Sequence, residues 1–114
     1  MTDSVRSAEP PAFILAIPPS DPQAEQELAW VGDAVLALWA RERILRELGR
    51  LDAQAFLRLT ANEHLAGIGR PTRVEAEIGV VYRRDGLAAA FAYIEARLLP
   101  VFLRQAAKRQ RQRR

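Results

Sequence analysis

Two carboxylates stand out as residues able to do chemistry, Asp33 and Glu75. Each sits in a segment with helical apolar spacing, and each has a glycine close by. Gly32 immediately precedes Asp33, and Gly79 follows Glu75 by one helical turn. On a helical wheel at about 100° per residue, Asp33 lies nearly opposite Leu28, Val31, Val35 and Leu38, and it shares its face with Ala29, Trp30, Ala37 and Ala40. Glu75 lies between Gly79 and the apolar pair Ile78 and Tyr82. A glycine inside a helix costs ~1 kcal/mol relative to alanine, and a common return is close approach of a second backbone. If the two helices cross at these glycines, the acids converge. Buried carboxylates repel and resist ionising. A divalent cation between them removes that penalty, and hard oxygen ligands suit Mg2+ or Mn2+. The same pattern also fits two solvated acids with glycines that serve packing alone, and two acids do not name a reaction.

The elements that must carry these residues read as helices. Asp21 is an N-cap and Pro22 a first-turn residue. Leu28, Val31, Val35, Leu38, Leu45 and Leu48 then recur at near-helical spacing up to Gly49, a natural stop. Asp52 caps a short helix through Arg58. Thr60 to Gly69 reads as another, with Thr60 and Glu63 in capping-box spacing. A break falls at Pro71. Thr72 to Arg84 is a strong helix, and Asp85-Gly86 is a turn. Leu87, Phe91, Ile94 and Leu98 mark one face of a further helix, and Pro100 begins a last short one. No convincing strand appears, so the expected class is all-α. The expected organisation is a Pro-rich, loosely ordered segment over 1–21, a helical domain over 22–103 and a basic tail over 104–114.

Composition narrows the function classes. The chain has 114 residues, one histidine and no cysteine, which excludes disulfides, thiolate nucleophiles and sulfur-bound metal centres. No stretch approaches the ~18 apolar residues of a membrane span. Asp3, Glu9, Pro10 and Pro11 do not read as a signal peptide, so a soluble, cytoplasmic protein is expected. Six of the seventeen bases lie in 104–114 (Arg104, Lys108, Arg109, Arg111, Arg113 and Arg114), which leaves eleven bases against fourteen acids in 1–103. Sixteen of the seventeen are Arg, whose planar donor fork suits phosphate. The tail therefore reads as a nucleic-acid contact or as a solubilising run. The packed part is small, and small cores often rely on a partner subunit.

Glu27-Leu-Ala-Trp-Val-Gly-Asp-Ala-Val-Leu36 resembles the signature helix of ribonuclease III domains, Glu-Arg-Leu-Glu-Phe-Leu-Gly-Asp-Ala-Val-Leu. Val74-Glu-Ala-Glu-Ile-Gly-Val-Val-Tyr82, followed by Asp85-Gly86, resembles the family's second acidic helix. Between them, Leu59-Thr-Ala-Asn-Glu-His-Leu-Ala66 resembles the Asn-containing helix that precedes it. The likeness is colinear over about residues 26–103. The family's first-helix glutamate, four residues before the Asp, is Ala29 here, and its second-helix aspartate, three before the Glu, is Thr72. Ala and Thr at these positions are similar to the mini-ribonuclease III subfamily, which carries no separate double-stranded-RNA-binding domain. The central region between Asp33 and Glu75 is shortened, and the basic loop that grips RNA in the family is compressed to Gly69-Arg-Pro-Thr-Arg73.

The resemblance implies a homodimeric, all-α, Mg2+- or Mn2+-dependent endonuclease of double-stranded or structured RNA, plausible in ribosomal RNA maturation, with products bearing 5′ phosphates. It implies Asp33 and Glu75 as catalytic, metal-binding acids. By the same resemblance Arg70 and Arg73 are expected as a remnant of the RNA-gripping loop, and the charge of the tail makes Lys108, Arg109, Arg111, Arg113 and Arg114 expected RNA contacts. The alternatives are a non-catalytic RNA-binding or ribosome-associated module on the same fold, and a helical protein-interaction domain. Glu77 reads as a dimer or surface residue, and Trp30 and Trp39 as core or dimer contacts. His64 reads as packed or at a helix surface, and Asn62 as a structural tie. Arg41 and Arg43 read as phosphate contacts or as a salt-bridged face.

Overall fold

A computed structural model describes residues 21–61, 65–66 and 69–112. The elements are α1 (Pro22–Leu48), α2 (Ala53–Thr60), α3 (Pro71–Asp85), α4 (Leu87–Tyr93), a π turn (Ile94–Leu98) and α5 (Leu99–Gln112). Among the described residues there is no strand. The all-α class stands.

Local chemistry sets the ends of the helices. The Asp21 carboxylate accepts from the Ala24 amide at 3.1 Å, and Pro22 occupies the first turn, where an amide would have no intrahelical partner. Gly49, at φ 72°, closes α1 with its amide on the Leu45 carbonyl at 3.0 Å; only glycine takes this left-handed conformation without strain. Asp52 caps α2 through the Ala55 amide at 3.0 Å. Thr60 is the last residue of α2, and its hydroxyl donates to the Phe56 carbonyl at 2.9 Å; most of the helix expected over 60–69 lies outside the described residues. Asn62, Glu63 and His64 lie outside the described residues. Pro71 opens α3 rather than merely preceding it.

The chain from Leu87 to Gln112 is one continuous helical run. The Leu99 amide bonds the Ile94 carbonyl, five residues back. Pro100 explains this turn: it has no amide to donate, and its ring crowds the carbonyl four residues earlier. Widening one turn accommodates the ring without breaking the helix. Residues 104–112 continue this helical run out of the packed body.

The core is built on α1 and α3, with α4, the π turn and the start of α5 laid against them. Leu36, Trp39, Leu65, Ile78, Val81, Ile94 and Leu98 are its largest fully buried side chains. Trp39 donates from Nε1 to Glu95 Oε2 at 3.3 Å and stacks obliquely on Phe102, with centroids 6.2 Å apart. The buried stripe of α1 differs from the leucine stripe expected from spacing. It runs through Ala29, Gly32, Val35, Leu36, Trp39, Ala40 and Ile44, while Leu38, Leu45 and Leu48 are exposed. Small residues win this face because they let α3 approach more closely than leucines would allow.

Candidate functional site: an acid pair at a glycine crossing

Helices α1 and α3 touch backbone to backbone. A Cβ on Gly32 would overlap the Glu75 carbonyl and lie 2.9 Å from the Gly79 nitrogen. A Cβ on Gly79 would overlap the Leu28 carbonyl and lie 3.3 Å from the Gly32 nitrogen. These contacts are with main chain, which cannot swing aside as a side chain can. They explain why two interior helical positions are glycine despite the propensity cost.

The crossing brings the two acids together. Asp33, next to Gly32, is exposed, and Glu75 is half-buried beside it. Asp33 and burial together act on the Glu75 carboxyl: burial first, then Asp33 as hydrogen-bond partner and as neighbouring charge, push it up to about 7. Near neutral pH Glu75 is thus poised between its neutral and charged forms.

A second polar chain runs from Glu25 to Tyr93. Glu25 is buried near the start of α1. It accepts from Arg70 at 2.9 and 3.2 Å and from Arg73 at 3.3 Å. Arg73 reaches Glu77 Oε2 at 4.0 Å, and Glu77 accepts from the Tyr93 hydroxyl at 2.9 Å. Burial, and next the Glu77 charge, push the Tyr93 phenol up. Glu77 is only 4% exposed, so the dimer-or-surface role expected for it is corrected: it is an internal carboxylate, held by Tyr93 and facing Arg73. Arg70 and Arg73 are tied to Glu25. Sequence reasoning missed Glu25 altogether, because a charged residue in a first turn reads as an ordinary helix-dipole partner. The i, i+4 spacing of Arg73 and Glu77 was the available signal.

The other candidates fall as follows. Trp39 is core, and Trp30 is 81% exposed one turn before Asp33. Arg41 lies over the Phe56 ring at 4.5 Å, and Arg43 pairs with Glu47 at 3.0 Å. Lys108 and Arg111 are exposed on α5, and Arg109 is half-buried against the body. Arg113 and Arg114 lie outside the described residues.

The donor set fits a hard divalent cation in part. Two neighbouring carboxyl groups offer oxygens that suit such a cation, and Mg2+ commonly keeps several waters beside one or two carboxylates. Among the described residues no group of three or more His, Asp or Glu side chains converges. No helix among them is long and apolar enough to cross a membrane. No known protein family, characterised protein or solved structure matches the chain.

Proposed function

We propose that this chain is a divalent-metal-dependent endonuclease of double-stranded or structured RNA, working through Asp33 and Glu75. The observation that carries the reading is the backbone crossing at Gly32 and Gly79, which sets Asp33 and Glu75 near enough to act on each other. The motif order of the sequence supports it, since the two segments that resemble ribonuclease III helices are the two that cross.

Asp33 and Glu75 would hold Mg2+ or Mn2+. The ion, when bound, supplies a Lewis acid that activates water and stabilises charge on the phosphate. Glu75 gives up its proton as the site is loaded, so loading is easier above pH 7 than below it. Asp33, exposed at the edge of the crossing, would hold the ion where an incoming phosphodiester can reach it. Glu75, deeper in, fixes the position of the charge between the helices. Backbone contact at both glycines keeps the two carboxyls from drifting apart. The exposed indole of Trp30 is the natural contact for a second copy of the chain, which would set two acid pairs on one duplex. Ribosomal RNA precursors, processed in the cytoplasm, are the substrate class by family likeness.

A second reading, a non-catalytic RNA-binding module, is favoured by one observation. Arg70 and Arg73, the remnant of the shortened gripping loop, are engaged with Glu25. The test is incubation of labelled duplex RNA with Mg2+, with Mn2+ and with EDTA, and end-group analysis of the products. Metal-dependent cutting that leaves 5′ phosphates supports the nuclease. Binding without cutting under both metals supports the module.

A further inference from the structure

Helix α5 sorts its bases onto two faces. Phe102, Gln105 and Arg109, at i, i+3 and i+7, face the body: Phe102 is buried and the other two are half-buried. Arg109 lines a recess with Leu48, Leu59 and Phe102. Arg104, Lys108 and Arg111, at i, i+4 and i+7, make a separate stripe, and all three are exposed. No Asp or Glu follows Glu95 in the sequence, so the helix carries no acid of its own to neutralise them. Like charges at i, i+4 and i, i+3 cost helix stability. The helix dipole favours bases near a C-terminus on any face, so it does not account for their alignment on one. A polyanion lying along this face would neutralise all three.

The placement of α5 gives that polyanion a path. Phe102 packs on Trp39 of α1, and Arg109 shares its recess with Leu48 at the end of α1. From Asp33 to Leu48 the chain is unbroken helix, roughly 20 Å at 1.5 Å per residue. The stripe itself extends about 10 Å along its axis.

We propose that Arg104, Lys108 and Arg111 grip consecutive phosphates of one strand of a duplex RNA, starting roughly 10 Å and ending roughly 20 Å along α1 from the Asp33–Glu75 pair. This rests on the RNA reading above and deepens it. The stripe reads phosphate and no base, and it makes a stable complex depend on a duplex long enough to lie across both places. Arg109 stands outside the grip.

The test measures affinity for a long and a short blunt-ended duplex RNA against salt concentration, in EDTA, so that cutting plays no part. The triple variant Arg104→Gln/Lys108→Gln/Arg111→Gln, with helicity checked by circular dichroism, should bind the long duplex at least tenfold more weakly. Its plot of log affinity against log salt should be shallower by about 2 to 3. In EDTA the acid pair holds no cation, so a short duplex meets only the stripe and should also lose affinity in the triple variant, while Arg109→Gln should move the slope less than any single stripe variant. A triple variant with the parent slope overturns the proposal, including the case where it loses binding to phosphatidylserine vesicles instead. If the parent cuts duplex RNA while the triple variant keeps the parent slope, the stripe alone is wrong. If the parent binds no duplex, the functional reading falls and the stripe with it.

Discussion

Gly32 of α1 and Gly79 of α3 face each other so closely that a Cβ on either would meet the other's backbone nitrogen at 2.9 or 3.3 Å. This contact fixes the distance between the helices, and so the distance between Asp33 and Glu75. Alanine at either glycine gains ~1 kcal/mol of helix propensity but must push main chain away from main chain. Gly32→Ala and Gly79→Ala should each destabilise the fold by about 2 kcal/mol net, read from urea unfolding midpoints at constant slope. A parent-like midpoint in both would mean the helices cross more loosely than described.

The pH dependence of stability follows from Glu75. An acid whose pKa is higher in the folded chain than in the unfolded one binds its proton more tightly when folded. Its contribution is therefore fully present below the ordinary value of 4.5 and is lost as pH rises through about 7. In EDTA, the melting temperature should fall from about pH 5 to about pH 8, and Glu75→Gln should flatten that part of the curve. Magnesium should raise the midpoint more at the alkaline end, where the carboxylate is free to bind it. A curve that rises across this range in the parent, with or without Gln at position 75, contradicts the assignment.

Asp33→Asn tests the same pair from the other side. It removes the neighbouring charge but leaves the burial of Glu75. The Glu75 pKa should drop from about 7 without reaching 4.5, since burial is the larger cause. Carbon-13 titration of the Glu75 carboxyl would follow it. No movement on substitution would mean that the two side chains do not meet in solution.

The Glu25 ion pairs make a graded prediction. The Arg73 side chain is 19% exposed and that of Arg70 69%. Removing Arg73 takes one partner from Glu25 in a water-poor setting and weakens the surroundings of Glu77. Arg73→Ala should cost about 3 kcal/mol, and Arg70→Ala less than about 1 kcal/mol, by chemical denaturation. The reverse order would place Glu25 in water.

The glycine-and-acid logic was legible in the sequence because it is local: a costly glycine beside an acid on each of two strongly periodic helices. The caps at Asp21 and Asp52 and the stop at Gly49 were legible for the same reason. The burial of Glu77 was not, because its partner Tyr93 lies on α4 and no local pattern links the two. The leucine stripe misled because α1 is apolar on more than one face, and close approach favoured alanine and glycine over leucine. Pro100 read as the start of a new helix because a π turn leaves no distinctive spacing. Thr60 reads as a cap because Thr–Glu three apart suits a helix start; its hydroxyl bonds back to Phe56.

The central claim is that Asp33 and Glu75 act together on RNA. It is tested most directly by cleavage of one labelled duplex RNA with Mg2+ by the parent, Asp33→Asn and Glu75→Gln, with binding measured in parallel. Cutting by the parent, lost in both variants while duplex affinity is kept, is the predicted result. Cutting that survives in either variant, or is absent from a parent that binds the duplex under both Mg2+ and Mn2+, would contradict it.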